Sequence, residues 1–362
     1  ELLKLWERAS QEAKRLGKPE LLFLEREIDF FREYTQKVES SYRKSWPRPW
    51  PCGILWIHWD PRFVQVAQQT LDISNGLLTI DLEHHEPQAN RSRRIRVTVF
   101  VHAEAGQVSV STDAEAPFLS LAYYPNIEPE AQLPPPELDA RTEMAGVRFT
   151  AHQHFPATAP SEQNPNPPNS ELDRSFSLCG QLSGEWTLQD LAESQRQLKE
   201  MASAAPDTYT RYAQQPRVFC HSSKKQPFRL DLALVTTRDD RDNRNFATKE
   251  AQRFSALPIS QIQMASEKSW KAFWSKSAVS IQDKELERIW YHNQYFLACC
   301  LKPGKVAPGL FGNWMSGKIG TAWHGDYHMN YNTQQVFWGV FSSNHVEQHL
   351  PYVELCENLL GY

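Results

Sequence analysis

Residues 283–304 read DKELERIWYHNQYFLACCLKPG and carry the clearest helical pattern of the chain. Asp283 stands where an N-cap is expected, and acidic residues fill the first turn, where they interact favourably with the helix dipole. Pro303 and Gly304 end the pattern. The apolar side chains recur every three or four residues and so share one helix face; they are Leu286, Ile289, Trp290, Phe296, Leu297 and Cys300. We therefore predict a helix from Asp283 to the residues before Pro303.

A long segment rich in glycine and tryptophan follows, GLFGNWMSGKIGTAWHGDYHMNYN at 309–332. Asn332 with Gln335, and Asn344 with Glu347, have the spacing of capping boxes, so each pair predicts a helix start. A helix, a long loop and a second helix are the units from which an α/α toroid builds its active-site face. Function concentrates on such rigidly held loops.

Between about residues 50 and 250 the chain changes character, because apolar and polar residues alternate as they do in half-buried strands. Pro, Gly, Asn and Asp clusters separate the short apolar runs, which predicts an antiparallel β-sandwich of supersandwich-like type. Two Pro- and Asn-rich stretches, 126–141 and 156–173, are predicted to be irregular loops. The candidate strands are 53–59, 76–82, 94–103, 106–112, 146–155 and 229–237.

These patterns predict a multidomain α and β protein in three parts. Residues 1–244 are expected to form the β-sandwich domain, with a helical excursion at 187–204 that Thr187 caps. Residues 245–282 are expected to form a helical linker. Residues 283–362 are expected to form paired helices with the irregular, aromatic-rich loop between them, the arrangement of an α/α toroid.

The composition excludes several classes of partner. The 362 residues carry a net charge of −4 with both signs mixed along the chain. That distribution provides no basic surface for nucleic acid and no polybasic membrane patch. No apolar run approaches the about 18 residues that a membrane-spanning helix needs. The six cysteines lack metal-ligand spacing and are interpreted as small buried apolar residues.

Aromatic and polar residues that could bind a ligand or take part in a reaction lie between the predicted helices. Trp314 and Trp323 stand in a glycine-rich loop, and flat rings beside polar groups suit the faces of sugars. If the following segment is extended, its alternate side chains share one face that can hydrogen-bond hydroxyl groups. Those side chains are His324, Asp326, His328, Asn330 and Asn332.

Two other interpretations of this segment stay open from the residues alone. His and Asp are metal ligands, although Asn is a poor one and no distant Cys or His cluster supports a metal site. Alternatively, Asn332 is only an N-cap and the histidines are solvated.

Several stretches resemble one known family of carbohydrate-cleaving enzymes. GLFGNW at 309–314 and WHGDYHMNYNTQQVFWGVFSSNHVEQHLPYVEL at 323–355 resemble the catalytic segment of glycoside hydrolase family 95. That family contains inverting α-L-fucosidases and α-L-galactosidases of the six-hairpin glycosidase superfamily. The resemblance implies that residues 283–362 are the first helices and the active-site loop of an (α/α)6 toroid, which is truncated. Weaker similarity to relatives of this family lies at 268–274, 293–300, 69–80, 149–155 and 172–184.

The resemblance implies hydrolysis of an α-linked L-fucosyl or L-galactosyl unit with inversion. Inversion requires an acid on the leaving oxygen and a base that holds water on the opposite face of the sugar. Matched residue by residue, the amide oxygen of Asn332 orients the water, Asn330 joins the same network and His328 binds a sugar hydroxyl. The other implied substrate contacts are Trp314, Trp323, His324, Asp326 and Gln334, the last in place of the family's usual Glu.

The resemblance also implies what this chain does not contribute. The general acid and the Asp that supports the base are expected beyond position 362, with the remainder of the toroid. The chain is therefore interpreted as a piece of a bacterial enzyme, inactive alone and with exposed apolar helix faces. The resemblance favours a periplasmic or secreted location and an oligosaccharide or polysaccharide substrate, with no cofactor and no metal. A non-catalytic carbohydrate-binding or scaffolding protein on the same fold is the alternative, because fold does not fix function.

Overall fold

The computed structural model contains a large β-structure followed by helices. Contact clustering separates two compact units, one of residues 1–51, 128–132 and 308–335 and the other of residues 52–127, 133–307 and 336–362. The structure describes residues 2–17, 33, 36–37, 50–86, 90–115, 118–126, 133–157, 174–190, 217–222, 226–313 and 327–360.

Twelve antiparallel strands in the described ranges form two sheets. The smaller sheet has the order β1-β6-β11-β10 and the larger one β2-β3-β4-β5-β12-β9-β8-β7. The strands are β1 Ile54–Trp59, β2 Val64–Asp72, β3 Leu77–Glu86, β4 Arg91–Val101, β5 Val108–Thr112, β6 Phe118–Tyr124, β7 Glu137–Glu143, β8 Gly146–His154, β9 Ser175–Ser183, β10 Thr187–Leu188, β11 Val218–His221 and β12 Arg229–Thr236.

The two sheets share one apolar core, which confirms the predicted sandwich. Leu121 and Cys220 of the smaller sheet belong to the same buried cluster as Leu82, Ile95 and Leu230 of the larger one. Alternation along each strand supplies the inward side chains. Burial of this cluster from both sheets is the main favourable contribution to the stability of the sandwich.

Within this core, a glycine leaves room for an aromatic ring. Gly180 on β9 lies directly opposite Phe149 on β8. A Cβ atom added to Gly180 would lie 2.2 Å from Cζ of Phe149, a distance that no packed side chain tolerates. The Phe149 ring also stacks on Tyr123 of the smaller sheet at 5.7 Å between centroids.

A histidine is buried on the opposite face of the smaller sheet. His58 of β1 alternates with Ile57, which joins the shared core, so His58 faces away from it. Its ring stacks on Phe219 of β11 and is only 3% exposed. Burial lowers the pKa of His58 to about 4, because the charged imidazolium is disfavoured away from water.

Two helices follow the strands and pack on the larger sheet. α2 (Asn243–Ser255) places Ala247 and Ala251 against Cys179, Ala233 and Val235, which alternate with the core residues of β9 and β12. The small side chains on both surfaces permit this close approach. α2 therefore covers part of the outer face of the sheet.

α3 (Ile259–Trp274) continues the same packing. Its Ile262 joins a cluster with Phe100 of β4 and Phe254 of α2. The ring of Trp270 occupies the space beside Gly76, and the Trp274 indole N–H donates to the carbonyl of Ile73 at 3.0 Å. The region predicted as a linker thus contains two helices that share a compact unit with the sandwich.

α4 spans Lys284–Cys300, as the opening pattern predicts. The Asp283 carboxylate accepts hydrogen bonds from the backbone N–H groups of Glu285 and Leu286, which confirms the predicted N-cap. α5 (Asn332–Ser342), a 3₁₀ turn (Val346–His349) and α6 (Leu350–Leu360) complete the helical part. The predicted order, an antiparallel β-sandwich followed by helices, is confirmed.

Large apolar side chains on these helices remain accessible to solvent. Trp338 of α5 is 55% exposed and Phe296 of α4 is 48% exposed. Further examples are Leu286, Ile289, Phe341, Leu350 and Leu360. None of the described helices is both long and apolar enough to pass through a membrane.

The second capping box was assigned wrongly. Asn344 has a φ of 58° and ends α5 instead of starting the next helix. The N–H of His345 donates to the carbonyl of Val340, and the N–H of Asn344 donates to that of Phe341. This is the bonding of a Schellman C-cap, in which Asn is the usual alternative to Gly.

Two sequence expectations in the sandwich were also wrong. Thr187 does not cap a helix, because Thr187 and Leu188 pair with His221 and Cys220 as strand β10. The rest of the predicted excursion, 191–204, lies outside the described residues. The loop predicted at 126–141 ends in strand β7, which forms a hairpin with β8. β7 is an edge strand with exposed charged residues, so it lacks a clear apolar alternation.

α1 (Leu2–Arg15) belongs to the other compact unit and has a strongly amphipathic pattern. Its residues Leu5, Ala9 and Ala13 are buried and recur every four residues, which defines one helix face.

Candidate functional site

Half of the predicted site residues lie in the described part of the chain. His328 and Gln334 are half-buried, whereas Asn330 and Asn332 are exposed. The other four, Trp314, Trp323, His324 and Asp326, lie outside the described residues. Their predicted contacts with substrate stay predictions.

The backbone between His328 and Asn332 forms a turn. The expectation that alternate side chains share one face required an extended backbone here and is wrong. The carbonyl of His328 accepts hydrogen bonds from the N–H groups of Tyr331 and Thr333, at 3.4 and 3.0 Å. Residues 329–331 form the turn and α5 begins immediately after it. His328, Asn330 and Asn332 therefore do not share one face of a strand. His328 and Asn330 lie instead in a tight turn, and Asn332 is the first residue of the helix that follows it.

The cap position of α5 also differs from the prediction by one residue. The carbonyl of Tyr331 accepts the first helical hydrogen bond, from the N–H of Gln335 at 2.9 Å. Tyr331 is therefore the N-cap by backbone geometry, and Asn332 is the first helical residue. The interpretation of Asn332 as only an N-cap is wrong. Its exposed amide has no capping function that would occupy it.

Thr333 was not singled out by the sequence and is distinctive in the structure. It is 4% exposed, and within the described ranges its hydroxyl oxygen has no hydrogen-bond partner. Buried hydroxyl groups are nearly always hydrogen-bonded. A threonine in the first turn of a helix is common and gives no signal by itself. The one signal in the sequence is that Thr333 directly follows the predicted catalytic residue Asn332.

A metal site finds no support among the residues that the structure describes. No three His, Cys, Asp or Glu side chains in these ranges lie close enough to hold a metal ion.

The local carboxylate Glu347 is unsuited to the role of a general acid. It forms an ion pair with Lys276. Burial raises the pKa of Glu347, but the hydrogen bond and charge of Lys276 outweigh that effect and lower it below its usual value. A general acid at neutral pH requires a raised pKa, so Glu347 is a surface ion-pair residue.

The comparison with known families now bears on this geometry. The model of the glycosyl hydrolase family 95 catalytic domain matches residues 248–361. This segment is glycoside hydrolase family 95-like. It includes the turn at 328–331, the start of α5 and the N-x-N-T sequence on which the resemblance was based. The family 95-like segment also begins inside α2, so α2 is divided between the matched segment and the sequence before it.

Two further comparisons add little beyond the family. No curated protein matches the chain at a significant level. A solved structure described as a putative kojibiose phosphorylase from the human microbiome is 9% identical, with a TM-score of 0.39. The similar region covers 69% of this chain and 31% of that one, so this chain spans about a third of that protein's length. A likeness of this size carries no argument about activity.

The structure also contains a polar cleft that the sequence did not reveal. It has a volume of about 280 Å³ and lies on the outer face of the larger sheet, between α2 and the edge hairpin β7–β8. The floor follows from strand register, because Glu137, His152 and Ser177 stand side by side across three strands. Arg244, Asn245 and Thr248 of α2 form one wall. The other polar lining residues are Asp139, Arg141, Arg148 and Thr150.

The three arginines of this cleft form ion pairs with neighbouring carboxylates. Arg244 donates two hydrogen bonds to the carboxylate of Glu137, at 2.7 and 2.8 Å. Arg148 is buried and contacts Glu143 at 2.6 Å. Only cross-strand register brings these residues together. The sequence signal for the cleft would have been the alternating charges of 137–143, which the loop prediction obscured.

Proposed function

We propose that the protein hydrolyses a glycosidic bond in a fucose- or galactose-containing oligosaccharide or polysaccharide, with inversion at the anomeric carbon. The observation that carries this proposal is the family 95 catalytic-domain match over residues 248–361. The start of α5 lies inside that match and carries two exposed amide side chains, Asn330 in the turn and Asn332 at the first helical position.

In the proposed reaction, the amide oxygen of Asn332 accepts a hydrogen bond from the attacking water and orients it. The water oxygen bonds to the anomeric carbon as the glycosidic C–O bond breaks, and the leaving oxygen takes a proton from a general acid. The proton that the water loses passes to a carboxylate paired with Asn332, which acts as the base. Asn330 and His328 hold neighbouring hydroxyl groups of the sugar. The general acid and the carboxylate that polarises Asn332 are assigned to no residue of this chain.

The helix geometry supports a decisive substitution. At the first position of α5, a carboxylate interacts favourably with the helix dipole, by about 0.3–1 kcal/mol. Asn332→Asp therefore preserves folding but places a charge where the amide oriented water. Hydrolysis of an α-L-fucoside by the full-length protein is expected to fall by about 10²–10⁴-fold, the usual contribution of a positioned base.

The matched control is Gln335→Glu, the same exchange of amide for carboxylate at an exposed position of the same helix. It should retain wild-type turnover. Wild-type turnover in Asn332→Asp would refute the assignment. NMR of the first product should show the β anomer, and release of the α anomer would contradict inversion. A wild-type protein that binds the fucoside without cleaving it would instead support the carbohydrate-binding alternative.

A further inference from the structure

The cleft between α2 and the β7–β8 hairpin contains a histidine whose tautomer is fixed from below. Asn243, the first residue of α2, donates through its amide nitrogen to the backbone carbonyl of Ser175 at 3.2 Å, which can only accept, and to the hydroxyl of Ser175 at 2.8 Å. Its amide oxygen therefore accepts the hydroxyl proton of Ser177, also at 2.8 Å. With that proton committed, the Ser177 oxygen can only accept from the Nδ1 of His152, again at 2.8 Å.

This chain of bonds determines what His152 presents to the cleft. Nδ1 carries the proton, so in the neutral ring Nε2 is a hydrogen-bond acceptor. Burial, and then the positive charge of Arg244, lower the pKa of His152. The ring is therefore neutral at neutral pH, and its acceptor is oriented by the rigid strand beneath it.

The balance of charge indicates the class of ligand. The three lining guanidinium groups, Arg141, Arg148 and Arg244, are balanced in number by two lining carboxylates and one behind the cleft. Arg244 pairs with Glu137, whereas Arg141 and Arg148 share Glu143, which lies outside the lining; the second lining carboxylate is Asp139. An anion would have to compete with these carboxylates for the guanidinium groups. A neutral polyol, in contrast, can donate to a carboxylate or to Nε2 of His152 and accept from a guanidinium, with no charge left uncompensated.

The volume limits the size of the ligand. At about 280 Å³, the cleft is at the lower end of small-molecule sites, which begin at roughly 300 Å³. That is room for one ring and not for a long chain segment.

We propose that this cleft is a second carbohydrate-binding site, which holds one neutral sugar unit through its hydroxyl groups. The site lies on the sandwich and its helix α2 and involves none of the residues assigned to hydrolysis. It would retain a sugar of the substrate by binding alone, without cleaving it. The proposal therefore does not depend on turnover.

The direct test follows the ring signals of His152 in a ¹H–¹⁵N spectrum of the full-length protein during titration with L-fucose and with D-galactose. Saturable shifts of the Nε2 signal are expected with at least one of the two. Asp139→Ala should weaken that binding about tenfold, since it removes a charged hydrogen-bond partner. Asp139 is exposed, so this variant should fold normally.

Glu83→Ala is the matched control, because Glu83 is also an exposed strand carboxylate but lies on β3, outside the cleft. It should leave the affinity unchanged. Asn332→Ala should also leave the His152 shifts unchanged, which separates this site from the proposed hydrolytic one. The proposal would be overturned if neither L-fucose nor D-galactose gave saturable shifts. An equal affinity in Asp139→Ala would also overturn it, as would shifts with D-galacturonate alone, which would indicate an anion site.

Discussion

Acid should destabilise this protein in part through His58, whose pKa burial lowers. The ring is buried on the smaller sheet beside Phe219, and burial lowers its pKa from 6.5 to about 4. Because the folded-state pKa is depressed, the folded protein binds fewer protons than the unfolded chain. The stabilisation is therefore complete above the unfolded pKa of 6.5 and is lost as the pH falls towards 4.

The size of the effect follows from the two pKa values. With a pKa of 6.5 unfolded and about 4 folded, linkage predicts that His58 alone removes about 2 kcal/mol of unfolding free energy between about pH 7 and pH 5. His102, His152 and His345 have lowered pKa values too, so they add to the total acid sensitivity. The contribution of His58 must therefore be measured as a difference.

Urea unfolding at the two pH values provides that difference. The loss of unfolding free energy from pH 7 to pH 5 should be smaller in His58→Gln than in the wild type, by about 2 kcal/mol. His85→Gln, which alters an exposed histidine on β3, should show the wild-type loss. An equal loss in wild type and His58→Gln would refute the reasoning, whatever the stability of the variant at pH 7.

Three further changes test the packing, the capping and the exposed helix surface. Gly180→Ala should lower the unfolding free energy by about 1–3 kcal/mol, because its Cβ has no space beside the Phe149 ring; an unchanged urea midpoint would contradict this. Asp283→Ala should lower it by about 1 kcal/mol while Asp283→Asn restores most of the loss, and equal effects of the two changes would argue against the capping bonds. The exposed apolar side chains of the helices should cause the protein to self-associate, and Trp338→Ser should reduce this self-association in sedimentation velocity without lowering the urea midpoint. An unchanged sedimentation profile would show that the Trp338 ring is not a contact between copies.

The sequence predicted best where a local pattern alone decides the structure. The cap and periodicity of α4 depend on residues within one segment, so Asp283 and the apolar face sufficed. Asn344 and Thr187 show the opposite case. Asn favours both N-caps and left-handed C-caps, and Thr favours both helix starts and strands, so tertiary pairing decided each one.

The candidate site shows the same limit. The extended conformation assumed for 328–332 was a condition that the residue pattern could not test. The turn depends on which backbone N–H groups reach the carbonyl of His328. The cleft could not be predicted because its floor depends on the register of three strands. Its edge strand β7 also lacks the apolar alternation by which a strand is recognised in a sequence.

The position of α2 and α3 has a consequence for how such proteins exchange parts during evolution. A recombination event at the apparent boundary near residue 244 would separate Cys179 and Val235 from the alanines that cover them, and Gly76 from the indole of Trp270. A sandwich transferred without residues 243–274 would expose an apolar sheet face to solvent in the recombined protein. A stable transfer of the sandwich would therefore have to include both helices, although the family match begins at residue 248, within the first of them.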